Sequence, residues 1–221
     1  MLLKWMVCQI SDSARTQFSH AQSHWWALTW VPGFLGQLGG WDQGRPRQVC
    51  ILSIWQNLAY YEHFMREIHD GLMAVNKQAH TYNCLEVALF HSEISLRGTE
   101  PDLYHALLKA CCLRIDDCSI YPDRISHFES VQQRIWKPAI EVAPGMLGGR
   151  FSQSLANQQR FLSLSLWSSY LHHGNYALNE VPELRIQAKE AEDVEASTGR
   201  LLSLETDWCV LPAEQAIWQE T

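Results

Sequence analysis

One stretch of this chain occurs twice, and that repetition restricts its fold more than any other feature. Pro32-Gly33-Phe34-Leu35-Gly36 returns as Pro144-Gly145-Met146-Leu147-Gly148. Val49-Cys50-Ile51-Leu52-Ser53-Ile54-Trp55 returns as Phe161-Leu162-Ser163-Leu164-Ser165-Leu166-Trp167. Pro32 and Pro144, Ser53 and Ser165, and Trp55 and Trp167 are each 112 positions apart. A shared offset at separate landmarks implies an internal duplication. The 221 residues therefore read as two halves of about 100 residues each rather than one large domain.

Within the first half, Leu2 to Ile10 reads as a strand. Ala14 to about Thr29 is helical, with Phe18, Ala21, Trp25 and Leu28 on one stripe. Pro32-Gly33 ends that helix, and Phe34 to Trp41 is a glycine-rich strand. Val49 to Trp55 is a strand with no polar alternation, the pattern of a strand covered on both faces. Asn57 to about Val75 is a second helix, with Phe64, Ile68, Leu72 and Val75 on one face, and Cys84 to Phe90 is a fourth strand. This β-α-β-β-α-β order is ferredoxin-like.

The polar residues 92–106, which include Gly98 and Pro101, read as a linker between a domain at 1–91 and one at 107–221. In the second half Leu107-Leu108-Lys109 to Ile115 matches Leu2-Leu3-Lys4 to Ile10. Arg124 to about Ile140 is a helix whose Phe128 and Trp136 match Phe18 and Trp26. Met146 to Phe151, Phe161 to Trp167 and Leu201 to Trp208 are strands. Residues 168–196 hold a helix interrupted near Pro182, and Pro212 to Thr221 reads as a helical tail. A ferredoxin-like sheet covers one face with its helices and needs a partner for the other, and a second copy in the same chain supplies it. The expected fold class is α+β, two tandem repeats forming an intramolecular dimeric α+β barrel. Further homodimerisation is possible but not required, because the chain supplies its own partner.

Composition narrows the function. The formal net charge is −7 with no basic run or stripe, which argues against nucleic acid and anionic membrane surfaces as partners. No apolar run reaches the roughly 18 residues of a membrane-spanning helix. The seven cysteines show no Cys-x-x-Cys spacing and sit mostly in strand-like apolar runs, the pattern of buried free thiols. Met1-Leu2-Leu3-Lys4-Trp5 leads straight into a strand pattern without a secretion signal. A cytoplasmic location is expected.

The repeated Pro-Gly-aromatic/Met-Leu-Gly turn, the strand ending in Trp, and the aromatic- and His-bearing helix that follows resemble the dimeric α+β barrel superfamily, which includes the antibiotic-biosynthesis-monooxygenase-like proteins. The stretch from Leu3-Lys4-Trp5 through Pro32-Gly33-Phe34-Leu35-Gly36-Gln37 to His63-Phe64 and His69-Asp70 is similar to the YdbC-like proteins in particular. The resemblance covers residues 1–91 well and 107–210 weakly. It implies a cofactor-free monooxygenase or isomerase acting on a small aromatic or apolar molecule. The competing readings are a non-catalytic small-ligand-binding or stress-response protein, and a barrel filled by its own side chains.

His63 and Trp55 are the expected catalytic pair, His63 moving a proton and Trp55 forming a flat wall. Trp5, Ser53 and Phe64 are the expected ligand-binding residues. Asn175 stands where His63 is matched in the second half, so any His-dependent site is expected once, in the first half. Haem-degrading relatives carry an Asn on the first strand. Trp5-Met6-Val7-Cys8 has none, so neither haem nor another cofactor is expected. No metal is expected either: His20 and His24, at i and i+4, lack a third ligand. His69-Asp70 reads as a cap or ion pair, and His172-His173 as surface. Ten tryptophans suit an aromatic pocket for a flat ligand or a core of large side chains.

Overall fold

A computed structural model describes residues 1–213, so the expected helical tail lies largely outside the described residues. Eight strands alternate with helices: β1 (Leu2–Gln9), α1 (Arg15–Ser23), β2 (Phe34–Asp42), β3 (Gln48–Trp55), α2 (Leu58–Glu67), α3 (His69–Asn76), β4 (Cys84–Arg97), α4 (Leu103–Lys109), β5 (Cys112–Ile120), α5 (Ile125–Val131), α6 (Lys137–Glu141), β6 (Met146–Ser154), β7 (Arg160–Trp167), α7 (Tyr170–Asn179), α8 (Val181–Gln187), α9 (Glu190–Asp193) and β8 (Val194–Leu204). The strands hydrogen-bond in the cyclic order β1-β3-β2-β8-β5-β7-β6-β4, a closed barrel, and the fold class is α+β. The described residues divide into two compact units, residues 1–89 with residues 202–213, and Phe90–Leu201.

In the first unit β3 lies between β1 and β2, with Leu2 opposite Trp55 and Lys4 opposite Ser53, and Gln37 opposite Ser53 on the other side. Val49 through Ile54 are buried at both sets of alternating positions, as the unbroken apolar run requires. The helix-facing set packs in two clusters. One joins Trp55 to Leu2, Trp25, Leu28, Phe34, Tyr61 and Phe64. The other joins Ile51 to Cys8, Phe18, Trp41 and Trp208. Phe18, Ala21, Trp25 and Leu28 are all buried, although α1 passes into a 3-10 segment at His24–Trp30.

The repeated Pro-Gly turn does the same work in both units. Gly33 and Gly145 have φ of +75° and +76°, and a Cβ there would run into the Tyr60 and His172 side chains respectively. Only glycine fits a left-handed backbone pressed so closely. A β-bulge follows each turn, between Phe34 and Gly36 and between Met146 and Gly148.

Five expectations need correction. Residues 92–97 are not linker but the second part of β4, pairing with β6 from Phe90 to Arg97. Their polarity is that of a half-exposed strand, in which Ile94 and Leu96 are buried and Glu93 and Arg97 exposed. Leu107–Lys109 is helix rather than strand: Asp102 caps α4, accepting from the His105 amide at 2.9 Å. Strand β5 begins at Cys112, which pairs with Trp167 as Leu2 pairs with Trp55. Arg114, not Lys109, is thus the counterpart of Lys4. The helix expected over 57–75 breaks at Ile68 (φ −124°), and Val75 is exposed as a result. Finally β8 spans Val194–Leu204, and a 3-10 turn at Thr206–Trp208 seats Trp208 in the first unit's core. All seven cysteines are free, but Cys84 and Cys111 are exposed rather than buried.

Candidate functional site

Each unit holds a cavity between its sheet and its helices, built on the same frame. Ser53 and Trp55 on β3 have Ser165 and Trp167 on β7 as counterparts, and each indole N–H donates to its serine hydroxyl, at 3.2 and 2.9 Å. The helix after each strand presents two residues three apart to the tryptophan. Tyr61 and Phe64 lie 5.8 and 4.8 Å from Trp55, ring centre to ring centre. His173 and Tyr176 lie 5.5 and 5.3 Å from Trp167. A spacing of three keeps both on one helix face.

The first-half cavity, about 220 Å³, is lined by Ser53, Trp55, Tyr61, Phe64, Trp25 and His69 together with Lys4, Gln37 and several apolar side chains. Lys4, Ser53 and Gln37 form a polar row across three neighbouring strands, because both Lys4 and Gln37 stand opposite Ser53. Lys4 is 8% exposed. Among the described residues it makes no ion pair, and its ammonium lies 5.5 Å from the centre of the Tyr61 ring. Burial lowers its pKa from 10.5 to about 8, opposed by the nearby Cys8. The same burial pushes the Cys8 thiol up to about 12. Gln37 is buried and its side-chain N–H2 has no hydrogen-bond partner. Among the described residues neither the Lys4 ammonium nor the Gln37 side-chain N–H2 donates to a protein acceptor, and both face a mostly apolar cavity.

Trp25, Gln78 and Gln22 form a buried chain at the wall, with the Trp25 indole donating to Gln78 at 2.5 Å and Gln78 donating to Gln22 at 2.6 Å. His69 stands between Trp25 and Phe64, at 6.0 and 5.8 Å, with its Nδ1 3.0 Å from Asp70. That hydrogen bond is the contact between the His69 and Asp70 side chains, and the break at Ile68 turns His69 to the cavity as well.

Of the expected site residues, Trp55, Ser53 and Phe64 line this cavity, whereas His63 and Trp5 do not. With Tyr61 and Phe64 facing the sheet, helical periodicity points His63 outward, and it is exposed. Trp5 is buried but, by strand alternation, lies on the opposite sheet face from Lys4. Lys4 and Gln37 were not expected at the site. The only sequence signal was Lys4 itself, a lone cation in an apolar strand.

The second-half cavity, about 300 Å³, is more polar. Arg114 holds Asp116 through two hydrogen bonds, one of 2.9 Å, and Arg185 pairs with Glu190 at 3.2 Å. His173 lines this cavity and is not a surface residue; burial, then the Arg114 charge, lowers its pKa. One wall is the π-helical turn Gln132–Trp136 between α5 and α6. That turn takes up residues which the tighter 3-10 segment saves in the first half. Among the described residues no group of three or more His, Cys, Asp or Glu side chains is placed to hold a metal ion, and no helix is long and apolar enough to cross a membrane.

Residues 2–90 match the family model described as "Domain of unknown function (DUF4937)", so the first cavity lies wholly within the matched segment. The protein YdbC of Bacillus subtilis (strain 168) is 35% identical over 95 residues, 42% of this chain and 80% of that protein. A candidate monooxygenase from Lactobacillus acidophilus NCFM shares the fold, with a TM-score of 0.72 and 11% identity over 95% of each chain. An anthrone oxidase-like protein does so too, with a TM-score of 0.69 and 9% identity over 97% of this chain and 94% of the other. The fold is shared with those two solved structures, and the chain belongs to the YdbC-like family.

Proposed function

We propose that the first-half cavity binds a small, flat, largely apolar molecule as its oxyanion, an enolate or phenolate, and exposes it to dioxygen without a cofactor. The observation that carries this reading is Lys4, a cation buried in a mostly apolar cavity and in no ion pair with any described residue. A buried charge is costly to keep unpaired, and an anionic ligand oxygen supplies the missing partner. Gln37 offers a second donor in the same row. Trp55 and Phe64 offer the flat walls.

Ionisation is the step that makes such molecules reactive towards dioxygen, since the anion gives up an electron far more readily than the neutral enol. A preorganised ammonium in a water-poor site stabilises the charge as it develops. Lys4 therefore acts by holding the oxyanion, with Ser53 and Gln37 orienting it. For an anthrone the balanced reaction is anthrone plus dioxygen to anthraquinone plus water. The fold neighbour's name suggests that trial substrate; the chemistry rests on Lys4.

The test is dioxygen uptake by the purified chain with anthrone, measured above the uncatalysed rate, together with binding of coumarin-3-carboxylate as a flat anionic probe. Both are expected in the native chain and lost in Lys4→Met. Binding without oxygen uptake would favour the non-catalytic binder. Absence of both in the native chain would sink the reading.

A further inference from the structure

We infer that the second-half cavity is a separate binding site for an uncharged, flat ligand that presents a carbonyl oxygen. Its frame repeats that of the first, but four aligned positions differ in a consistent direction. Lys4 becomes Arg114, Met6 becomes Asp116, Tyr61 becomes His173 and Phe64 becomes Tyr176. The first two changes cancel charge. Arg114 is gripped by Asp116, and Arg185 is paired with Glu190, so neither an anion nor a cation finds an unmatched partner.

The last change adds a donor. Tyr176 is 8% exposed and its hydroxyl has no hydrogen-bond partner, while its ring lines the cavity beside Trp167. Burial raises the Tyr176 pKa, so the group stays a phenol whose O–H needs a hydrogen-bond acceptor from a ligand or from water. A buried hydroxyl left unpaired is unfavourable, and the first half avoids it with Phe64. A carbonyl oxygen is the uncharged acceptor that fits a cavity walled by Trp167, Trp136 and Phe128.

The experiment is calorimetric titration of the full chain with coumarin, a flat uncharged lactone, and with coumarin-3-carboxylate. Urea unfolding of each variant serves as the folding control. Coumarin is expected to bind the native chain and the Lys4→Met variant equally. Tyr176→Phe, which restores the first half's residue, should weaken coumarin about tenfold and leave the carboxylate unchanged; tenfold corresponds to about 1.4 kcal/mol, the scale of one hydrogen bond. Ala177→Leu, which fills the cavity from α7, should abolish coumarin binding. The inference is overturned if coumarin does not bind, if Tyr176→Phe leaves its affinity unchanged, or if Lys4→Met removes it. Loss in Ala177→Leu alone also overturns it, because the hydroxyl would then not be the recognising group.

Discussion

Replacing Lys4 with methionine should stabilise the fold while destroying the anion site, an unusual pairing that makes the prediction sharp. The ammonium is buried, has no ion-pair partner among the described residues, and carries a pKa lowered from 10.5 to about 8. For a group with a depressed basic pKa the protonated form is disfavoured by folding. The penalty is full below the folded value and is relieved as pH rises from about 8 towards 10.5. A difference of about 2.5 units at 1.36 kcal/mol each gives about 3 kcal/mol at pH 7. It falls below about 1 kcal/mol at pH 10, where most unfolded-state lysine is still charged but the folded one is not. Methionine keeps the length and removes the charge, so Lys4→Met should raise the unfolding free energy by up to about 3 kcal/mol at pH 7 and by much less at pH 10. Urea unfolding followed by circular dichroism at both pH values measures this directly. Destabilisation at pH 7, or a gain that does not shrink at pH 10, would refute the claim that the charge is buried and uncompensated.

Affinity for coumarin-3-carboxylate should fall as pH rises past about 8, because only the ammonium form of Lys4 attracts the anion; calorimetry across pH 6–10 reads the profile, and a flat profile would count against Lys4. His63→Ala, on the exposed face of α2, should alter neither stability beyond about 0.5 kcal/mol nor anion binding. Gly145→Ala should destabilise by about 1–3 kcal/mol, since φ there is +76° and the new methyl meets His172; thermal melts decide. Asp193 is fully buried and holds both Arg124 and His127 at 2.7 Å. Asp193→Asn should cost about 1–3 kcal/mol, read as a lower urea midpoint.

The 112-residue offset by itself determined the duplication, and the β-α-β-β-α-β order followed from periodicity that changes between 2 and 3.6. Val49 to Trp55 showed in its composition that both strand faces are buried, and Pro32-Gly33 marked the end of the first helix. These properties are local, or repeat at fixed spacing, so a one-dimensional reading reaches them. Ser53, Trp55 and Phe64 were legible as cavity residues for the same reason. Register was not legible. Leu107–Lys109 looks like Leu2–Lys4 as a string, yet the cap at Asp102 makes it helix, and Arg114 takes the place of Lys4. His63 was preferred to Tyr61 because its residue type suggests chemistry, whereas the direction of a helical side chain depends on which face the sheet covers. Only tertiary structure decided that Lys4, Ser53 and Gln37 share one row while lying on three strands. It likewise decided that Arg114 has an acid beside it and that Lys4 has none among the described residues. A charge becomes chemically informative through what surrounds it, and its surroundings are set by residues distant in the chain.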